Sequence, residues 1–503
     1  MPTRIAFWAR RWLLASKKYW PIEGYKKMAH DTLKVGLFGI GLNAYWPQFA
    51  GLEPRLRGYI ERVAEKLARP GVEIVNLGLI DDPEKAMDAG HQFRAADVDL
   101  IFLHVTTYAV SSTVLPVVQR AKVPVVILNL QPEAAIDYAS FNALDDRTKM
   151  TGEWLAFCAA CPVPEIANVF RRSGIDFHQV TGVLDGDAHV DREIEAWIEA
   201  ARVAYVMSHN RLGLMGRYYN GMLDIYSDTT AQVATFGGHL EIVEIDELAA
   251  LRKQVTEIEA AGRVDAFRGE FDIQPDCDPA ELLRAARTSV ALDRLVAKHK
   301  LGSLAYYYES TPGHDHEDVI ASVILGCSYL TARGVPVAGE YEVKNAQAMK
   351  ILDTFGVGGS FTEYYGIDFN DDIVLMGHDG PGHTKIAEGK TKVRPLKVYH
   401  GKVGSGVSVE MSVKHGPVTL LSVAEDGAGK LKLVVAEAES VPGPILEIGN
   451  TNSRYRFPIG ARNFVEQWNA QCPAHHCAIG IGHIAHKIEK LGLLVGIPTV
   501  RIG

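Results

Sequence analysis

LKVGLFGI, residues 33–40, is an apolar run closed by glycines, and an amphipathic segment follows it with Leu52, Leu56, Ile60, Val63 and Leu67 on one face. Spacings of three and four residues put those side chains on one stripe of a helix. Three further apolar runs follow: VEIVNLG (72–78), DLIFLHV (99–105) and VPVVILNL (123–130). Short buried runs alternating with amphipathic helices are the pattern of parallel βαβ units. A second series repeats it, with a helix near 189–206, RLGLMG (211–216), HLEIVEI (239–245), a long helix near 279–299, SLAYYYE (303–309) and a helix from about Asp318 to Arg333.

Beyond residue 355 the character changes. IVLMGHDG (373–380), KVYHGKVG (397–404), GVSVEMSVKHG (406–416), the run 417–440 and PILEIGN (444–450) are short β-rich stretches separated by Gly, Pro and Asp. They predict an antiparallel barrel or sandwich, followed by a last helix, HIAHKIEKLGLL (483–494). The expected fold is α/β: two Rossmann-like parallel-sheet domains and a mainly antiparallel, barrel-like C-terminal domain. The expected divisions are an N-terminal extension (1–32), an N-terminal α/β domain (33–185), a central α/β domain (186–355) and a β-rich domain (356–503).

The chain has 503 residues, 22% of them charged, with a net charge of -9. That balance offers no basic footprint for nucleic acid and favours a small or neutral partner. Six scattered cysteines build no disulfide framework, which makes a cytoplasmic protein the expectation. Cys158 and Cys161 have redox-like spacing but sit in the apolar stretch WLAFCAACPV and read as structural thiols. No run of 18 apolar residues is present, so no membrane span is expected. Arg10 and Arg11 interrupt the basic, aromatic first 27 residues before an apolar core reaches signal-peptide length. That segment reads as translated upstream sequence, a targeting segment or an arm packing on a neighbour.

Gly36, Gly39 and Gly41 follow the first strand but make a poor dinucleotide fingerprint. Asn43, Pro47 and Pro54 hold the chain in a loop where a helix should start, and VEIVNLG ends without the acidic residue that grips a ribose. The glycines read instead as part of a ligand or interface loop. No phosphate-binding Walker sequence occurs.

The acidic and imidazole side chains are more informative. Glu309 ends the YYYE run, Glu340 follows the strand VPVAG, His378 closes the run DDIVLM, and His475 and His476 precede a glycine-rich turn. Singly, an isolated Glu after a strand reads more readily as a solvated loop residue, a lone His at a strand end reads more readily as a hydrogen-bonded structural residue, and a His pair is often an N-terminal cap. YYYE, GEYEVK (339–344), GGSFTEYY (358–365), LMGHDG (375–380) and PAHH (473–476) come in the order and near the spacing of motifs in the L-arabinose isomerase family. The chain resembles that family over most of its length from Leu33, including NRLGLMGRYYNGM (210–222).

The resemblance implies a metal-dependent aldose–ketose isomerase acting through an enediol on a pentose or 6-deoxyhexose, L-arabinose-like. It implies Glu309, Glu340, His378 and His476 as ligands of one divalent cation, Mn²⁺ first and Co²⁺ or Mg²⁺ as alternatives, with Glu309 and Glu340 as base and acid in undecided order. Two carboxylates and two imidazoles suit such an ion. It further implies a homotrimer or homohexamer with active sites at subunit interfaces. Tyr45, Gln48, Asn129, Gln131, Met222, Tyr341, Asp379 and His475 are the implied substrate-side residues, while His314, Asp315, His316 and Glu317 read as lid or interface residues. Departures from the family pattern fall at Tyr341–Val343, at Asp379–His383 and at Cys472–Pro473, so the reaction class is better specified than the sugar. A non-enzymatic sugar-binding protein and an NAD-dependent sugar or polyol dehydrogenase are the competing readings.

Overall fold

A computed structural model describes residues 32–310, 313–397 and 405–503. All but Thr32 of the expected N-terminal extension, and most of KVYHGKVG, lie outside these residues. The chain forms two compact units, one reaching Val206 and including Ile484–Thr499, the other built from Met207–His483 with Val500–Gly503.

In the first unit β1 (Leu33–Ile40), β2 (Val72–Ile80), β3 (Leu100–His104), β4 (Val125–Gln131) and β5 (Phe177–Val183) form one parallel sheet in the order β2-β1-β3-β4-β5. Val35 and Leu37 enter one apolar layer and Phe38 and Ile40 the other, so the sheet is covered on both faces. The helix Leu52–Leu67 buries the five residues its spacing singled out. The glycines of β1 have a packing role: a Cβ on Gly36 would lie 2.8 Å from the Phe93 ring, and one on Gly39 would lie 2.4 Å from Ile60. The final helix, Ala485–Val495, belongs to this unit, where Lys487 pairs with Glu199 and Lys490 with Glu193.

The second unit opens with another parallel sheet. Its strands are β6 (Arg211–Gly216), β7 (His239–Val243), β9 (Ser303–Tyr307) and β10 (Val337–Ala338), in the order β10-β9-β6-β7. The short β8 (Asp272–Ile273) pairs instead with β13 (Lys392–Pro395), which pairs with β14 (Val407–Glu410). Six antiparallel strands close into a barrel: β11 (Gly358–Asp368), β12 (Ile373–His378), β15 (Gly416–Glu425), β16 (Leu431–Val441), β17 (Thr451–Arg456) and β18 (His476–Ile481). The ring runs β15-β18-β11-β12-β17-β16 and is closed by the pairing of β15 with β16, which leaves none of the six with an open edge. β19 (Thr499–Ile502) lies against β16 outside the ring. Val374, Met376, Leu420, Tyr455, Cys477 and Ile479 are among the side chains of the barrel core.

The fold class expected from the sequence is therefore the one observed. Two local readings differ. The helix expected from Asp318 to Arg333 is two helices, Asp315–Ile320 and Ile324–Thr331. PILEIGN is not a strand: Pro442 and Pro444 have no N–H for a ladder, and Leu446 donates its N–H to the Asn452 side chain. No helix among the described residues is long and apolar enough to cross a membrane.

Two histidines make this fold acid-sensitive. His104, at the end of β3, and His383 are both fully buried, and burial pushes each down to about 4. The folded protein refuses these protons until about pH 4, while the unfolded chain accepts them near 6.5. Between those values the unfolded state binds more protons, so stability is complete above pH 6.5 and falls as the pH drops toward 4. The shift corresponds to about 3 kcal/mol for each histidine. Urea unfolding at about pH 7, 6 and 5 should show this loss, and His104→Gln should flatten the dependence in the first unit. An unchanged slope in that variant would refute the assignment.

Candidate metal centre

The barrel wall gathers the first part of the site. β11 lies between β12 and β18, and Glu363 of β11 is paired with Gly377 on one side and His476 on the other. Cys477 and Ile479 point into the barrel core, so alternation along β18 turns His476 to the outer face. The Phe361 ring, two residues before Glu363, lies 4.3 Å from the His476 ring and 4.5 Å from the His378 ring. The two imidazoles are 5.1 Å apart.

The central sheet supplies the second part. β10 ends at Ala338, and after Gly339 the backbone takes left-handed conformations at two successive non-glycine residues, Glu340 (φ 56°) and Tyr341 (φ 61°). Each costs about 1–2 kcal/mol. Tyr341 N–H donates to Tyr306 and Glu342 N–H to Gly339, which hold the kink, and the buried helix Val343–Thr354 begins at once. Glu342 occupies the N-cap position without capping the helix through its side chain. Its carboxylate instead lies 2.6 Å from His476 Nδ1.

His476 Nε2 is buried, has no hydrogen-bond partner among the described residues and lies 3.5 Å from a Glu340 carboxylate oxygen. An imidazole whose Nδ1 is backed by a carboxylate and whose Nε2 faces a second carboxylate is the arrangement that orients a metal-binding histidine. Burial pushes Glu342 up to about 8 and holds His476 well below the ordinary imidazole value. A cation beside Nε2 fits this pair, because it supplies the positive charge that keeps a buried carboxylate ionised.

His475 repeats the arrangement from a more exposed position. Its Nδ1 lies 2.6 Å from Asp224 Oδ2, and its Nε2 lies 3.9 Å from Glu340 and 4.0 Å from Glu363. Burial alone would lower its pKa, but the hydrogen bond and charge of Asp224 outweigh burial and hold it above the usual value. Glu340, His475 and His476 can each offer one ligand atom, all within 4.8 Å of one another.

Glu340 and His475 border a cavity of about 160 Å³, with walls that include Tyr219, Met222, Tyr307, Phe361, Glu363 and His378. Of the residues singled out from the sequence, Glu340, His378, Met222, Asp379 and His475 line it. His476 stands behind His475, their rings 3.7 Å apart. Tyr341 packs edge-on against Tyr218 and is not in the wall. Glu309 is not in the wall either; its carboxylate accepts from the Tyr307 hydroxyl and pairs with Arg217. His316 contacts the Tyr308 hydroxyl and Asp246, and His314 caps the short helix that follows it.

Tyr45, Gln48, Asn129 and Gln131 belong to the first unit. Tyr45 packs on Trp46 and Phe49, and the Gln48 side chain bonds to Ala44 O. Asn129 and Gln131 sit at the carboxyl end of β4, where Asn129 reaches Thr181.

The sequence reading singled out neither Glu363 nor Asp224, and it placed Glu342 only among the departures from the family pattern. Glu363 and Glu342 lie inside quoted motifs, GGSFTEYY and GEYEVK, so their positions were visible although their roles were not. Asp224 carries no sequence signal, because its partner is 251 residues away. Neither a protein-family model nor a curated protein matches the chain.

The register around Glu363 depends on Gly377, where a Cβ would lie 1.9 Å from Thr451 O of β17. Gly377→Ala should therefore force β12 from β17 and destabilise the second unit by about 2–3 kcal/mol, the scale of overpacking. Urea unfolding checks this, and an unchanged midpoint would show that the strands accommodate the methyl group.

Proposed function

We propose that the protein is a metal-dependent aldose–ketose isomerase acting on a neutral sugar, a pentose or 6-deoxyhexose, in line with its resemblance to the L-arabinose isomerase family. The observation that carries this reading is the convergence of the His475 and His476 Nε2 atoms on Glu340, with a carboxylate behind each Nδ1. Glu340 and His476 would hold the cation, with His378 and Glu363 beside them. Mn²⁺ is the ion we favour, and Co²⁺ or Mg²⁺ are alternatives. When bound, the ion supplies Lewis-acid polarisation of sugar oxygens.

The walls suit such a substrate. Glu340, Glu363 and Asp379 are acidic, Tyr219, Tyr306, Tyr307 and Phe361 are aromatic, and no Lys or Arg is among the described lining residues. A phosphorylated or carboxylated sugar would meet repulsion there, whereas hydroxyl groups can donate to carboxylates and ring faces can lie on aromatic side chains.

Isomerisation moves one proton from C2 of the aldose to C1 and one between the two oxygens, so it needs carboxylates that can accept and return a proton. Glu340 is the nearest candidate to the imidazole pair. Glu309 is the second carboxylate the resemblance implies. Its hydrogen bond to Tyr307, a wall residue, keeps it next to the cavity, and Arg217 pairs with its other oxygen. We further propose a cytoplasmic homotrimer or homohexamer, to which the Tyr45, Gln48, Asn129 and Gln131 group would contribute across a subunit interface.

A panel of aldoses and ketoses incubated with Mn²⁺ tests the activity. A neutral pentose or 6-deoxyhexose should be interconverted, chelation should stop turnover, and Glu340→Gln should lower kcat by about 10²–10⁴-fold, the range for a lost acid or base. In D₂O, deuterium should enter C1 of the ketose. Turnover only with added nicotinamide cofactor would overturn the isomerase reading in favour of a dehydrogenase. Light scattering that found a fully active monomer would remove the interface claim.

A further inference from the structure

We propose that Asp224 is a positioning residue that fixes His475 as a ligand of the same cation, so that the adjacent histidines act as a pair of carboxylate-backed imidazoles. The inference rests on the cation site proposed above and adds His475 to the ligands that the family resemblance implies. Asp224 lies in the short turn Leu223–Ile225, anchored by buried Ile225. One of its oxygens, Oδ2, accepts from the backbone N–H of His475 at 2.9 Å and lies 2.6 Å from Nδ1 of the same residue.

A surface ion pair between two half-exposed side chains contributes little by itself. Two features set this one apart. Engagement of the backbone N–H and the ring by one oxygen fixes both the position and the rotation of His475. The turn is fixed in its own right, because the ammonium of Lys344, on the buried helix Val343–Thr354, donates to the Asp224 carbonyl at 2.6 Å. Asp224 therefore stands to His475 as Glu342 stands to His476.

The chemistry follows from the tautomer. With an Asp224 oxygen 2.6 Å away as the acceptor at Nδ1, Nε2 is the ring nitrogen presented to a ligand. That nitrogen faces Glu340 at 3.9 Å and Glu363 at 4.0 Å, the same two carboxylates that His476 Nε2 faces at 3.5 Å and 4.0 Å. Four side chains thus converge on one point from three elements: the turn after β10, β11 and the start of β18.

Titration of the full-length protein with Co²⁺ tests the role. Co²⁺ shifts the exchangeable Nδ1–H signals of ligating histidines far outside the normal proton NMR range, and it reports affinity through its visible absorption. His475→Ala should remove one shifted signal. Asp224→Ala should weaken binding by about 10–100-fold, as loss of an outer carboxylate does, and should also remove that signal by exposing the Nδ1–H to exchange. Asp224→Asn keeps an acceptor oxygen and should recover most of the affinity.

The proposal is overturned if the wild-type protein binds Co²⁺, Asp224→Ala binds it within twofold of wild type, and His475→Ala retains every shifted signal. It falls in a different way if the wild-type protein itself binds no Co²⁺, because the cation site then fails as well. Co²⁺ affinity that is unchanged in His475→Ala but lost in His476→Ala would also overturn it, leaving His475 outside the ligand set.

Discussion

The left-handed kink at Glu340 and Tyr341 is the constraint on which the site depends. Side chains in an ordinary strand-to-helix turn would not point in three useful directions within five residues. Here the reversal at two consecutive positions lets Glu340 face the cavity, sends Glu342 to His476 and places Lys344 under the Asp224 turn. Backbone strain of this kind persists where the surroundings over-determine it. The surroundings are the hydrogen bonds from Tyr341 to Tyr306 and from Glu342 to Gly339, together with a helix buried from Val343 to Leu352.

That helix also joins the parallel sheet to the barrel. It packs on β9 and β10 on one side and on β11, β15 and β18 on the other. A helix that is buried all round has no solvent face to tolerate change, so its position is fixed by both partners. The Glu342 carboxylate at its N-terminus is consequently held against β18 to within hydrogen-bonding distance, a precision that a loop alone would not give. The closed ring does the same for the histidines, because Glu363 can pair with His476 and Gly377 in only one register.

The architecture was legible in the sequence because period and composition report burial. Apolar runs marked the parallel strands, and Gly- and Pro-bounded β segments marked the barrel. The same signal failed at PILEIGN, where apolar residues lie in a loop tied by the Asn452 side chain. It also suggested the wrong reason for the glycines of β1, which make room for Phe93 and Ile60. Within the site, Glu340, His378 and the histidine pair were legible from motifs at strand ends. Glu342 was not, because an acidic residue just before a helix reads as a cap, and its carboxylate turns away from that role. Asp224 could not be found at all without the tertiary contact to His475.

Charge balance ties the arrangement to its chemistry. Glu342 is fully buried, and burial pushes its carboxyl up and the imidazole beside it down, so burial works against charge on both partners. A fold that needed only packing there would place apolar side chains of the same size, since a buried ionisable pair is rarely more stable than such a replacement. His475 faces the same Glu340 and Glu363 carboxylates with Asp224 behind it, which adds negative charge to the cluster. Three elements therefore concentrate carboxylates around two imidazole nitrogens. A bound divalent cation is the partner that would turn this cost into binding energy, by neutralising the carboxylates and taking the Nε2 lone pairs at once.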